Sequence, residues 1–244
     1  MESKTPWKAR VWRGRVIACA VASLVALSAI AAEALFPQPL HLVRRVEDPF
    51  AGKTATLHEY CAGDQVVTVN GAHVVIADYG KQQLIEIDRA AGTYSVTRFE
   101  ELAKLNAAPP PAAALTNDNI KLDVKVDRTA HLSRAAVEVL IGAAYPNARR
   151  AEHEQILRAA AGSERGKGLV ANSADAPPND YALPVEQTLT ILEDGERITM
   201  RNTILEVRRE LPPDDLRLIP PGARLVESRA TRLARELRDL DHLH

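Results

Sequence analysis

Between Leu40 and Phe99 no strand-like run of residues continues for long before a turn signal stops it. Leu40–Glu47 is followed by Asp48-Pro49-Phe50-Ala51-Gly52-Lys53, and Thr54–Cys61 by Ala62-Gly63-Asp64. Gln65–Val69 meets Asn70-Gly71, the strongest two-residue hairpin signal. Ala72–Asp78 meets Tyr79-Gly80, Gln82–Asp88 meets Ala91-Gly92, and Thr93–Arg98 follows. Gln82–Asp88 has a period of two, with Leu84, Glu86 and Asp88 opposite Ile85 and Ile87. Strands this close together, at near-regular spacing, predict an antiparallel meander.

After the meander the pattern changes. Phe99–Leu105 reads as one short helix, and Ala107–Ala114, with three consecutive prolines, as a stiff linker that cannot enter a sheet. Ile120–Val126 alternates apolar with charged residues, which predicts a strand with one wet face. Ser133 is placed to cap a helix through Ala144, with Val137, Leu140 and Ile141 on one face. Tyr145-Pro146-Asn147 ends it, and Ala148–Ala161 reads as a second helix. Gly162–Asp180 is a polar loop. Leu183–Leu192, the turn Glu193-Asp194-Gly195 and Arg197–Val207 form a long hairpin, followed by a proline-punctuated stretch over 212–222. Leu225–Leu243 is predicted helical, with Val226, Ala230, Leu233, Leu237 and Leu240 as one apolar stripe. The fold class expected is therefore α+β.

The start of the chain speaks to compartment. Lys4, Lys8, Arg10, Arg13 and Arg15 face a single acid, Glu2, and Val16–Ala32 is then free of charge. Ala29-Ile30-Ala31 and Ala32-Glu33-Ala34 both fit an A-x-A exit, so residues 1–34 read as a secretory signal peptide. The alternative is an uncleaved inner-membrane anchor, for which the apolar run is slightly short. Either way the positive-inside rule puts the remainder outside the cytoplasm, in the periplasm. Cys19 lies before most of the apolar run, where a lipidation box would not place it. Without residues 1–34 the chain carries 26 Lys+Arg against 30 Asp+Glu, a net charge of −4, and no tryptophan. That charge offers no basic face to nucleic acid. Cys61 is then the only thiol and reads as a small buried hydrophobe.

Catalytic signals are missing from the sequence. The seven histidines show no ligand spacing, and Glu152-His153-Glu154 lacks the second histidine of a zinc-protease motif. Gly162–Gly168 is one residue short of a phosphate loop and lacks its Ser/Thr. No G-x-S-x-G elbow occurs, and Asp118, Asp123 and Asp127 do not have calcium-loop spacing. The expectation is a non-enzyme with no cofactor and no metal.

Tyr79-Gly80-Lys81-Gln82-Gln83-Leu84-Ile85-Glu86-Ile87-Asp88-Arg89 with Thr93-Tyr94-Ser95-Val96 resembles a recurring meander of the LolA/LolB-like superfamily of exported lipoprotein carriers. Leu183-Pro184-Val185, the hairpin after it, and Leu218-Ile219-Pro220-Pro221-Gly222 resemble that group's closing strands, with Ala223 where tyrosine often stands. The resemblance spans roughly residues 38–226; the domain itself is taken as 35–226 and the C-terminal amphipathic helix as 227–244. It implies a strongly curved antiparallel sheet, an incomplete barrel closed by helices, whose hollow receives an apolar or lipidated ligand such as a lipoprotein acyl chain. The proline insert at 107–114, the second helix with its loop at 148–180 and the C-terminal helix depart from the group's pattern. Residues expected to line the hollow are Val67, Val69, Val75, Ile85, Ile87, Val124, Val137, Leu140, Ile141, Leu189, Ile191 and Ile204. Burying an acyl chain there would gain about 0.8 kcal/mol per CH₂. The alternative is an envelope interaction or stress-sensing protein that uses the same fold as a scaffold. In that reading the C-terminal helix docks an envelope partner.

Overall fold

The structure is a computed structural model, which describes residues 34–49, 52–106, 120–144, 150–162, 180–193, 196–228, 230–232 and 235. The leader, the 107–114 linker and most of the 162–180 loop lie outside these residues, as do Leu233, Leu237 and Leu240.

One sheet of ten strands runs through the molecule. The meander is present as six strands: β1 (Phe36–Asp48), β2 (Lys53–Gly63), β3 (Gln65–Asn70), β4 (His73–Asp78), β5 (Gln83–Asp88) and β6 (Thr93–Arg98). The remaining strands are β7 (Ile120–Leu132), β8 (Tyr181–Glu193), β9 (Glu196–Arg208) and a two-residue β10 (Arg224–Leu225). The spatial order is β10-β6-β5-β4-β3-β2-β1-β9-β8-β7, so the two end strands do not meet and the curved sheet stays unclosed. All ladders are antiparallel except β10 on β6, which is parallel, so the sheet is mixed rather than purely antiparallel.

The turns explain the register. Asn70 pairs with His73, leaving Gly71-Ala72 as a two-residue loop. Gly71 has φ of 59° with open space around its absent side chain, so backbone conformation rather than room demands glycine there. Asp78 and Asp88 each end a strand and fold the next turn by accepting a backbone N–H three residues on, from Lys81 and Ala91, at 2.9 Å.

Three α-helices are described, α1 (Phe99–Asn106), α2 (Arg134–Ala144) and α3 (Arg150–Ala160), together with one 3-10 turn over Asp214–Leu216. Ser133 caps α2 as expected, its Oγ accepting from the Ala136 N–H at 3.1 Å. The predicted C-terminal helix starts later than the sequence pattern suggested. Leu225 is in β10, Val226 donates its N–H to Tyr94 O at 2.8 Å, and a turn of helix follows a Ser228 cap, with Ala230 its first described residue. Bonding to β6 takes Val226, the first residue of the amphipathic stripe, while Ala230 is helical.

Side-chain alternation gives the sheet two different faces. On one, Leu40, Leu42, Cys61 and Val66 pack on Ala136, Val139 and Leu140 of α2. Leu122 and Tyr181 pack on Val137, Ile141, Ile156, Leu157 and Ala160 of α2 and α3, while Leu84 packs on Phe99 and Leu102 of α1. This is the helix face. On the other, Val67, Val74, Ile76 and Ile87 form an aliphatic floor bordered by Tyr60, Val69, Ile85 and Tyr94. No α-helix packs on that floor among the described residues. It is covered by Leu216, from the connection 209–223 that joins β9 to β10.

Candidate functional site

The twelve residues expected in one hollow are divided between the two faces. Val75, Val124, Leu189, Ile191 and Ile204 lie on the helix face of the sheet, and Val137, Leu140 and Ile141 on α2. Val67, Val69, Ile85 and Ile87 lie on the opposite face, in the aliphatic floor. Register makes the split unavoidable. Val67 opposes Ile76 and Val69 opposes Val74, so Val75, between those two partners, must point the other way. Residues 137, 140 and 141 also diverge: Leu140 packs with the β1–β3 cluster, Val137 and Ile141 with the β7–β8 cluster.

At the centre of the helix face is a polar group that the sequence reading passed over. Arg44 and Glu59 are each 1% exposed and Asn202 2%. Arg44 donates from Nε to Glu59 Oε2 at 2.8 Å, and from an Nη to Asn202 Oδ1 at 2.9 Å. Gln187, also buried, opposes Asn202 across the β8–β9 ladder. A signal existed: Leu40, Leu42, Arg44 and Val46 are two residues apart, so Arg44 shares the face of two core leucines. Its partners are distant in sequence and only strand pairing brings them near.

Burial shapes the chemistry around this group. Cys61 is fully buried, as expected, and desolvation, with the Glu59 carboxylate adding to it, pushes its thiol well above the ordinary range. That disfavours a thiolate, so Cys61 is poorly suited to act as a nucleophile. Burial likewise raises the Tyr79 phenol, whose ring meets Phe99 edge-on with centroids 5.6 Å apart.

The other face carries its own polar cluster. His41 is 2% exposed and stacks nearly parallel on Tyr60, centroids 4.1 Å apart. Its Nδ1 bonds to Glu210, and its Nε2 lies 3.0 Å from His58 Nδ1. Desolvation raises the Tyr60 phenol, with the Glu210 carboxylate as the next cause. Arg208 completes the edge, pairing with Glu206 at 2.7 Å and with Glu210 at 3.7 Å. Among the described residues no group of three or more His, Cys, Asp or Glu could hold a metal ion. No helix among them is long and apolar enough to cross a membrane.

The 209–223 connection, hereafter the strap, runs from β9 to the β6 edge and so passes across β1 to β5. Glu210 is held by His41 at its start. In its middle, Asp215 is held by Arg89, which donates to Asp215 Oδ2 at 3.0 Å and to Asp215 O at 2.6 Å. Pro212 is buried and Leu216 half-buried, whereas Leu211 and Leu218 are 59% and 64% exposed.

No family model and no curated protein matches the chain. Among solved structures the chain is similar to one titled "Structure of PNGF-II in C2 space group", at a TM-score of 0.34 and 9% sequence identity. The likeness covers 78% of this chain and 31% of that one, so this chain spans about a third of that protein's length. It is too slight for fold or function to be carried across.

Proposed function

We propose that the protein is an exported, non-catalytic binding protein of the cell envelope that holds an apolar or lipidated ligand against its curved sheet, in the manner of the LolA/LolB-like carriers. One observation carries this reading. Both faces of the sheet bear aliphatic layers, and each layer is covered by helices or an irregular strap rather than by a second sheet. Such covers can part from the sheet without breaking a strand ladder, so an acyl chain could exchange for the covering side chains. Each CH₂ buried would return about 0.8 kcal/mol. The aliphatic lining suits a flexible chain better than a sugar or base, which aromatic platforms favour. Native mass spectrometry after gentle purification tests the reading, alongside uptake of dansyl-undecanoate. Co-purified lipid or saturable uptake is expected; the absence of both would overturn it.

A second reading is an envelope interaction or stress-sensing scaffold, and a specific observation favours it. Leu205, Leu211, Leu218 and Leu225 are each more than half exposed along β9, the strap and β10. Exposed leucines spaced along one connection offer apolar anchor points to a protein partner. Exchanging Leu218 and Leu225 for serine separates the readings: lost partner capture with intact lipid uptake supports the scaffold.

A further inference from the structure

We propose that the strap is a latched cover and that the ligand's seat is the aliphatic floor beneath it, with Leu216 occupying the place an acyl chain would take. This rests on the binding reading above. Three features of the strap argue for it.

The first is how the strap is fastened. A segment built into a sheet is held by backbone ladders, but here the N–H groups of Leu216, Arg217 and Ala223 bond to the strap's own carbonyls of Pro213, Asp214 and Pro220. Its grip on the sheet runs through side chains, Arg209 on Gln38, Glu210 on His41 and Asp215 on Arg89. At its far end backbone bonding resumes, with Arg224 N–H on Gly92 O at 2.9 Å. That ladder and β9 act as fixed ends of a span that can lift between them.

The second is where the strap spends its apolar residues. A segment serving only as core would bury its large aliphatics. This one turns Leu211 and Leu218 outward and sets Leu216 alone of its leucines on Val67, Val74, Ile76 and Ile87. Lifting it uncovers that floor at the loss of the Leu216 and Pro212 packing, while Leu211 and Leu218 stay exposed throughout. Pro212, Pro213, Pro220 and Pro221 fix φ on either side of Leu216, so the strap moves as stiff arms rather than collapsing.

The third is the chemistry of the floor. It consists of β-branched side chains contributed by β3, β4 and β5, with Tyr60 and Tyr94 at its border. Such a surface recognises a straight aliphatic chain by area rather than by hydrogen bonds.

Hydrogen-exchange mass spectrometry on the full chain tests the latch, using Arg89→Asp to set like charges against each other and Arg89→Asp with Asp215→Arg to restore the pair. Exchange over 209–223 is expected to quicken about two- to fivefold in the single variant and to return toward wild type in the double variant. Exchange in β1 and β9 should not change, which separates strap opening from global unfolding. Dansyl-undecanoate should bind several-fold more tightly to Arg89→Asp than to wild type, and the double variant should reverse this. Strap exchange that never departs from that of β1 and β9 would overturn the latch. Probe uptake that ignores the strap would overturn the seat while leaving the binding reading standing. Uptake by neither wild type nor the opened variant would overturn both.

Discussion

The two faces of the sheet use the same alternating pattern to different ends. The helix face buries a charged pair under a thick apolar layer; the strap face keeps its charges at the border and its centre aliphatic. Arg44 and Glu59 have no access to water and must satisfy each other, whereas Glu210 and Asp215 are partly or largely exposed and clamp a mobile-type connection. A buried pair is costly to break because the survivor is left charged and unsolvated. An exposed pair gives little and releases easily. The helix face thus specifies the fold, and the strap face is where conformational change costs least.

The largest effect should come from breaking the buried pair alone. Arg44→Ala or Glu59→Ala is expected to cost about 3–5 kcal/mol in urea denaturation. The joint replacement Arg44→Met with Glu59→Leu should recover much of that loss, since both charges then vanish together. A joint variant as unstable as the single ones would show that Asn202 and the rest of the network matter more than charge pairing.

Leu140→Ala, with its side chain 2% exposed between α2 and the sheet, should cost about 2–5 kcal/mol. Leu216→Ala on the strap face should cost only about 1–2 kcal/mol, because the residue is half-buried. Thermal melts of the two variants measure the contrast directly; equal losses would erase it.

Alkaline pH sharpens the comparison through Tyr79 and Cys61. Burial raises both groups in the folded state, so the folded chain holds these protons more tightly than the unfolded one. Their contribution is fully present below the unfolded values and is lost as pH rises beyond them, from about 8.5 for a thiol and about 10 for a phenol. Stability should therefore fall in that window. Tyr79→Phe should flatten the fall, as circular dichroism across an alkaline titration would register. Native Cys61 should resist a thiol reagent until denaturant is added.

The smallest effect is expected at the wet edge, where Lys125 meets Glu186 at 3.0 Å with the lysine mostly exposed. Lys125→Ala should change stability by less than about 1 kcal/mol in the same urea assay. A larger loss would mean that β7, the end strand, depends on that pair for its place on β8.

Much of the architecture was legible because local rules suffice for it. The Asn70-Gly71 turn, the strand-ending aspartates and the Ser133 cap act over three or four residues, and each appears where the pattern placed it. β7 and β8 extend beyond the alternating runs because bulges near Val126 and Pro184 let the ladder continue past the break in period. The last helix starts later than its amphipathic stripe predicts because Leu225 pairs with Tyr94 and the Val226 N–H bonds to Tyr94 O.

The candidate site was less legible. Strand register puts Val67 and Val75 on opposite faces, whereas the resemblance to a curved-sheet carrier implies one hollow for both. Similarly, Arg44 was visible as an intruder among core positions, but nothing local names Glu59 or Asn202 as its answer.

By itself, then, the sequence determined the strands, most of their turns and the two-faced character of each strand, since these follow from backbone sterics and a side-chain period of two. Tertiary structure alone decided what covers each face. Which helices fill one side, that a strap crosses the other, and that His41 meets Glu210 depend on contacts between residues far apart in the chain. Those contacts are selected by how whole surfaces fit together, a property no short stretch of residues contains.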